Sequence, residues 1–187
     1  MSIAADPTTL PLTAGAWIVD PVHSSVEFSV RHLGLAKVRG RFDEFSGHLD
    51  VGQGLSDSSV VAEVALASVD TNNADRDAHL AGSDFFGAEA HPTMSFVSTS
   101  IVEQGSTYLL EGNLTIGAIT GPVLFEAELY GTEVYPLDGS TRAGFSVTGR
   151  ISRSAFGIEF DIPLGADKVA IGDKVSVELE IQLVAPE

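Results

Sequence analysis

Four side chains on one polar stretch, Asp75, Arg76, Asp77 and His79, are the best candidates for chemistry in this 187-residue chain. A carboxylate beside an imidazole can move protons as a general acid–base pair, and Asp77 with His79 would be that pair. The same residues admit a plainer role. Arg76 and Asp77 can tie the stretch to a rim through charge-assisted hydrogen bonds, with Arg153 of Arg153-Ser154-Ala155-Phe156-Gly157 as a further partner. The stretch runs from Ser68 to Phe86 and ends in the aromatics Phe85 and Phe86. A link between two strands needs nothing so elaborate, so it reads as the lid or mouth of a container.

Other reactive constellations are weak. Asp20, His23 and Ser24 lie close together, but neighbours along a strand point to opposite faces, and no Gly-x-Ser-x-Gly elbow is present. The five histidines, His23, His32, His48, His79 and His91, show no metal-ligand spacing. Without cysteine there is no thiol chemistry and no thiolate metal site. Phosphate-cradling and dinucleotide motifs are missing too, so neither metal nor cofactor is expected. Lys37, Arg39 and Arg41 share one face of a strand at i, i+2, i+4. That triplet is either a solvated outer face paired to acidic neighbours or a seat for an anionic headgroup.

The elements that must position these residues are strands. Apolar residues alternate with polar ones, the mark of half-buried β-structure. Val26, Phe28 and Val30 begin the pattern, and Val175 to Leu183 end it most cleanly. Between them lie runs around Val38–Phe42, Phe45–Val51, Val60–Leu66, Met94–Ser98, Tyr108–Ile116, Val123–Leu129 and Phe145–Ile151. Turn residues separate the runs, among them Gly52-Gln53-Gly54, Asp138-Gly139-Ser140 and Gly165-Ala166-Asp167. The one predicted helix spans Ala74 to Ala81, capped by Asn73. Eight or nine long antiparallel strands predict an all-β, up-and-down barrel of about eight strands with a short helical insertion. Such a barrel is either filled by side chains or holds one small ligand. Gly40, Gly47, Gly112 and Gly149 fall on the inward parity. They either leave space for a guest or bend strands and seat bulky neighbours.

A net charge of −16 repels phosphate backbones and anionic lipid headgroups, so neither nucleic-acid binding nor peripheral docking to an anionic bilayer is expected. The N-terminus carries neither the basic region nor the apolar core of a signal peptide. If Met1 is the natural start, the expected location is cytoplasmic, without stable membrane insertion. Residues 1–15 are expected to be a flexible lead-in to a barrel domain at 16–187. An interior walled by Val, Leu, Ile and ten phenylalanines suits a long apolar guest. Burial of ~16 methylenes yields roughly 12 kcal/mol gross, before association and ordering costs, so no polar recognition motif is required.

The segments Trp17-Ile18-Val19-Asp20-Pro21-Val22-His23-Ser24, Val69-Asp70-Thr71, Arg76-Asp77-Ala78-His79-Leu80, Asp84-Phe85-Phe86 and His91-Pro92-Thr93-Met94-Ser95-Phe96 resemble the YceI-like family of lipid-binding barrels. Glu111 to Ile116, Thr120-Gly121-Pro122-Val123, Arg153 to Ile158 and Ile171-Gly172-Asp173 extend the resemblance across Ala16 to Val184. It implies a lipocalin-like barrel with an elongated pore for a polyisoprenoid, quinone-like or fatty-acyl chain, and a homodimer. Many relatives carry a secretion signal and a basic residue where Gly121 stands; this chain departs at both points. The expected function is non-enzymatic lipid carriage or storage. Fatty-acyl or amide binding, stress-related sequestration, and an enzyme using His79 and Asp77 on a lipid headgroup are the alternatives. Trp17, Phe28, Val30, Phe42, Phe96, Phe125, Phe145 and Phe156 are expected to line the guest. Phe85 and Phe86 would close the mouth. Arg76, Asp77, His79 and Arg153 would form a rim or headgroup network.

Overall fold

The computed structural model describes residues 9–165 and 168–187. Strands β1 (Gly15–Val19) and β2 (Ser25–His32) follow one another along the same edge, and β3 (Ala36–Phe42) and β4 (Phe45–Val51) do likewise. Then come β5 (Ser59–Ala65), the short β6 (Val69–Asp70), helix α1 (Ala74–Ala81), β7 (Thr93–Gln104), β8 (Thr107–Ile116), β9 (Ile119–Val134) and β10 (Thr141–Ser152). A two-stranded ribbon, β11 (Pro163–Gly165) with β12 (Lys168–Val169), precedes β13 (Ile171–Val184). The predicted turn at Gly165-Ala166-Asp167 lies partly outside the described residues.

All pairings in the wall are antiparallel, in the order β1-β4-β5-β7-β8-β9-β10-β13-β2-β3, and β13 closes the ring by also pairing with β1. Along one edge β13 pairs with β10; along the other it pairs with β2 near its start and β1 near its end. Counting β1 with β2 and β3 with β4, the wall is a closed eight-strand antiparallel barrel. Closure leaves no long edge for another chain to pair with. The wall has one seam. At its end β3 pairs not with β5 but with β6, through Arg41–Asp70 and Phe42–Val69. The insertion that carries β6 and α1 therefore replaces a missing stretch of sheet.

The end away from the β2–β3 turn is closed. Trp17 is 1 % exposed and packs in one core with Leu10, Leu49, Ala143 and Leu183. Its Nε1 donates to Thr13 O at 2.9 Å, and Gly15 already pairs with Val51. Of the lead-in expected to be flexible, residues 1–8 lie outside the described residues. Leu10 is buried in the same core as Trp17 and belongs to this floor.

Three of the four inward glycines seat a bulky neighbour, while Gly47 faces the Val61 carbonyl, 2.8 Å from where its Cβ would stand. A Cβ on Gly40 would lie 2.4 Å from the Phe28 ring, one on Gly112 2.4 Å from Phe96, and one on Gly149 2.3 Å from Phe125. The rings lie down over glycines in the adjacent strand instead of projecting across the lumen. At the opposite end, the β2–β3 turn holds Leu33 at φ 54° and Gly34 at φ 70°, closed by Leu35 N–H to His32 O at 3.0 Å. Both central residues are left-handed, as in a type I′ turn, which favours Asn-Gly. A leucine in the first position costs about 1–2 kcal/mol.

Gly112→Ala should destabilise the barrel by about 1–3 kcal/mol, because its Cβ would also meet the fixed Val97 carbonyl at 2.6 Å. Gly121→Ala meets only the Phe156 ring, at 3.4 Å, and should be nearly silent. Urea unfolding midpoints, with unchanged slopes, read the difference.

Candidate functional site

The strand pattern leaves a cavity of about 270 Å³ along the barrel axis. Phe28, Phe42, Phe96, Phe125 and Phe145 border it, as expected, together with Phe86. The rings contact one another: Phe28–Phe42 at 5.5 Å, Phe42–Phe86 at 5.7 Å and Phe96–Phe125 at 5.6 Å between centroids. Its surface is almost wholly apolar. A second cavity of about 330 Å³ lies toward the β2–β3 turn, bordered by Val30, Arg76, His79 and Phe85. Phe28, Phe86, Arg153, Ile158 and Val175 border both, so the two spaces are a lumen and its vestibule, each near the small end of the ~300–1,000 Å³ of ligand pockets.

Two expected lining residues are elsewhere. Trp17 and Phe156 are buried but border neither cavity. Trp17 belongs to the floor. Phe156 ends a 3₁₀ turn, Ser154–Phe156, and packs in the core beside Gly121. Period-2 reading cannot tell such a wall residue from one facing a cavity, since both are buried.

The insertion is held by one hydroxyl. Thr71, 6 % exposed, donates from Oγ1 to Asp77 Oδ1 at 2.5 Å and from its N–H to the same oxygen at 2.8 Å. It accepts from Arg76 Nε at 2.7 Å, while Arg76 Nη2 donates to Thr71 O at 2.7 Å. Asn73 caps α1 by accepting from Arg76 N–H. The Thr71 hydroxyl bond, before any other cause, draws the Asp77 carboxyl below its ordinary range. Arg76 and Asp77 thus tie helix to strand. Thr71 stands in the Val69-Asp70-Thr71 segment of the resemblance, but its role as the tie has no signal in residue type, because threonine is ordinary in strands.

His79 and Asp77 are not a pair. The imidazole Nε2 sits 2.9 Å from Asp84 Oδ2, and the ring stands edge-on to Phe85 at 5.1 Å and Phe160 at 4.9 Å. Phe85 and Phe160 also meet, at 5.1 Å. This trio joins the insertion to the loop after the 3₁₀ turn. Phe160, absent from the expected residues, completes the mouth.

Arg153 does not join the Arg76 network either. Its guanidinium makes five hydrogen bonds: Nε to Gly172 O, Nη1 to Ile158 O and Phe160 O, and Nη2 to Ile171 O and Asp161. All five donors are spent. Asp161 in turn accepts from the N–H groups of Ile162, Ala170 and Ile171. These bonds oppose the burial that would raise its pKa, and the net shift is downward. Arg153 borders the cavities as a structural tie with nothing left to offer a headgroup.

The remaining candidates are structural. Asp20 accepts from Arg142 and lies 2.8 Å from His23 Nδ1, while Ser24 exchanges hydrogen bonds with Gln182; no triad converges. Of the basic triplet, Arg41 pairs with Asp43 and Asp70, whereas Lys37 and Arg39 stand exposed on the outer face. Among the described residues, no cluster of three or more His, Cys, Asp or Glu side chains could hold a metal ion, and no helix is long and apolar enough to cross a membrane.

A family model described as the YceI-like domain matches residues 17–183. A UPF0312 protein of Staphylococcus aureus is 36 % identical over 171 residues, covering 90 % of this chain and 96 % of its own. BcnA of Burkholderia cenocepacia has the same fold, with TM-score 0.75 at 23 % identity over 88 % of this chain and 98 % of its own. A polyisoprenoid-binding domain from Saccharophagus degradans superposes with TM-score 0.66 at 14 % identity, covering 91 % of this chain and 98 % of its own.

Thr71→Val should release α1 while the barrel stays folded. Hydrogen exchange of residues 71–90 should accelerate by roughly ten-fold, the worth of ~1–1.5 kcal/mol of hydrogen bonding, with β8–β10 unchanged. Because the Asp77 pKa is lowered on folding, its contribution is complete above the unfolded value near 4 and is lost as pH falls through the folded value. Protection of α1 relative to the intrinsic exchange rate should therefore fall in acid, and Asp77→Asn should remove that dependence.

Proposed function

We propose, from the premise that the chain belongs to the YceI-like domain family, that it binds and carries a long-chain apolar lipid, an isoprenoid or quinone-like tail before a fatty-acyl one. The observation that carries this reading is the axial lumen with phenylalanine rings laid against its wall and almost no polar group facing it. Such a space offers a tail apolar surface of ~0.8 kcal/mol per methylene and offers a polar substrate nothing. The structural neighbour described as polyisoprenoid-binding supports the choice of tail.

The tail enters at the vestibule, since the other end is closed by Leu10 and Trp17. The headgroup rests near Arg76, His79 and Phe160. A binding role is favoured over catalysis because the polar groups nearest the guest already serve structure. Asp77 is held by Thr71, His79 lies against Asp84, and Arg153 has no free donor.

Native mass spectrometry of protein incubated with prenyl and acyl lipids should show a discrete, stoichiometric adduct. Ala127→Trp, which fills the lumen from its wall, should abolish the adduct while the far-ultraviolet spectrum stays that of a β-protein. A wild-type mass that stays empty with every lipid would refute the carrier reading. An adduct that survives Ala127→Trp would place the lipid elsewhere.

A further inference from the structure

Six of the ten lysines and arginines have no hydrogen-bonding or ion-pair partner among the described residues: Arg31, Lys37, Arg39, Arg150, Lys168 and Lys174. All six are exposed. The other four, Arg41, Arg76, Arg142 and Arg153, are each engaged. Strand register brings the free cations to one end of the barrel. Arg31 faces Lys37 and Ser29 faces Arg39; Arg150 lies opposite Ser176, which lies opposite Ser29, and Lys174 lies opposite Ser152. One row further from the turn the sign changes, with Glu178 opposite Glu27. Of the carboxylates at the basic end, Asp161 is paired with a cation, Arg153, while Asp173 keeps its charge on the serine donors Ser152 and Ser154. Glu159 is exposed and opposes the cations.

The same end is greasy. Leu33 is 42 % exposed, Leu35 81 %, Ile162 57 %, Leu164 46 % and Val169 51 %. Backbone bonds hold these tips together, Leu33 N–H to Ala170 O and Ala170 N–H to Ile162 O. Arg31, His32, Ile162 and Ala170 also border the vestibule. Leu33 occupies a left-handed position that suits asparagine, so stability alone does not account for it. Strain of this kind collects where function needs it. The opposite end also shows apolar residues, Val22, Val134 and Leu137, but its neighbouring charges are Asp20, Glu133 and Asp138, with Arg142 already paired.

We propose that this end is a docking face for an anionic lipid bilayer: the leucine tips enter the interface and the six cations ring them against the headgroups. A chain of net charge −16 can do this because charge is read locally. The outermost strand cations, Arg31, Lys37 and Lys174, lie four residues from the Glu27–Glu178 row, roughly 13 Å in a strand, beyond one screening length of ~8 Å in physiological salt. Docked this way, the vestibule faces the membrane. The inference gives the lipid-carrier reading its donor surface, but an empty barrel would dock equally well.

The test is flotation of the full chain with vesicles of equal phosphatidylglycerol and phosphatidylcholine, beside phosphatidylcholine alone, in 50, 150 and 500 mM salt. Binding should require the anionic lipid and fall with salt. Lys37→Gln with Arg39→Gln should weaken it roughly thirty-fold. Leu33→Asn with Leu35→Ser should weaken it at every salt concentration. Leu33→Asn alone should raise the melting temperature, so that loss of binding there is not loss of folding. Ala127→Trp should bind vesicles normally, which separates failure of docking from failure of carriage. Absence of wild-type binding to anionic vesicles at 50 mM salt, or equal binding by the leucine variants, overturns the proposal. Retention on immobilised polyglutamate without vesicle binding also overturns it, in favour of an acidic protein partner.

Discussion

The contact between phenylalanine rings and the glycines of neighbouring strands decides what kind of barrel this is. Eight strands enclose barely enough room for side chains, and inward phenylalanines pointing across the axis would fill it. Gly40, Gly112 and Gly149 remove the Cβ atoms beneath Phe28, Phe96 and Phe125, so those rings lie along the wall. Wall and lumen are therefore made by the same contacts. The glycines give up some strand stability, and the ring packing offsets it. Everything proposed for the interior depends on this arrangement holding in several strands at once.

The mouth is built on a different principle. Where the lumen relies on apolar contact, the rim relies on saturated polar hubs. Thr71 joins β6 to α1, and Arg153 with Asp161 joins the 3₁₀ turn to the start of β13. Each hub satisfies its own groups internally, as buried polar groups must. The seam between β3 and β5 is consequently spanned by a two-residue ladder to β6 and by the side-chain bonds that hold α1, rather than by a continuous sheet. Local opening in proteins concentrates where ladders and buried apolar contacts are sparse, which makes this seam the part of the wall that opens most readily.

The strands were legible because period-2 patterning is a direct record of which face is wet. The α1 boundaries and the Asn73 cap followed from the same logic, the capping residue preceding a short run of good helix formers. The aromatic lining at Phe28, Phe42, Phe96, Phe125 and Phe145 came with the pattern. The roles of Trp17, Phe156, His79 and Arg153 did not. Parity reports burial but not whether the neighbour is a cavity, a floor or another element. Partner choice among Asp77, Asp84 and His79 depends on how the chain turns after α1, which no local propensity encodes. Phe156, Ile158, Phe160 and Ile162 alternate as strongly as many strands, yet Phe160 and Ile162 sit in a loop pinned by Arg153 and Asp161. The meaning of the glycines needed the register, because a seat exists only if a ring stands opposite.

The closed floor of Leu10 and Trp17 has a consequence for traffic. A tube sealed at one end cannot be a conduit, and a molecule held in it leaves by the route it entered. For the proposed lipid cargo, a tail inserted first is the last part to emerge, so the headgroup would stay at the opening throughout residence, within reach of another surface. Cargo is then limited by depth rather than by composition: the floor acts as a gauge, and a tail longer than the bore must leave its excess outside the mouth.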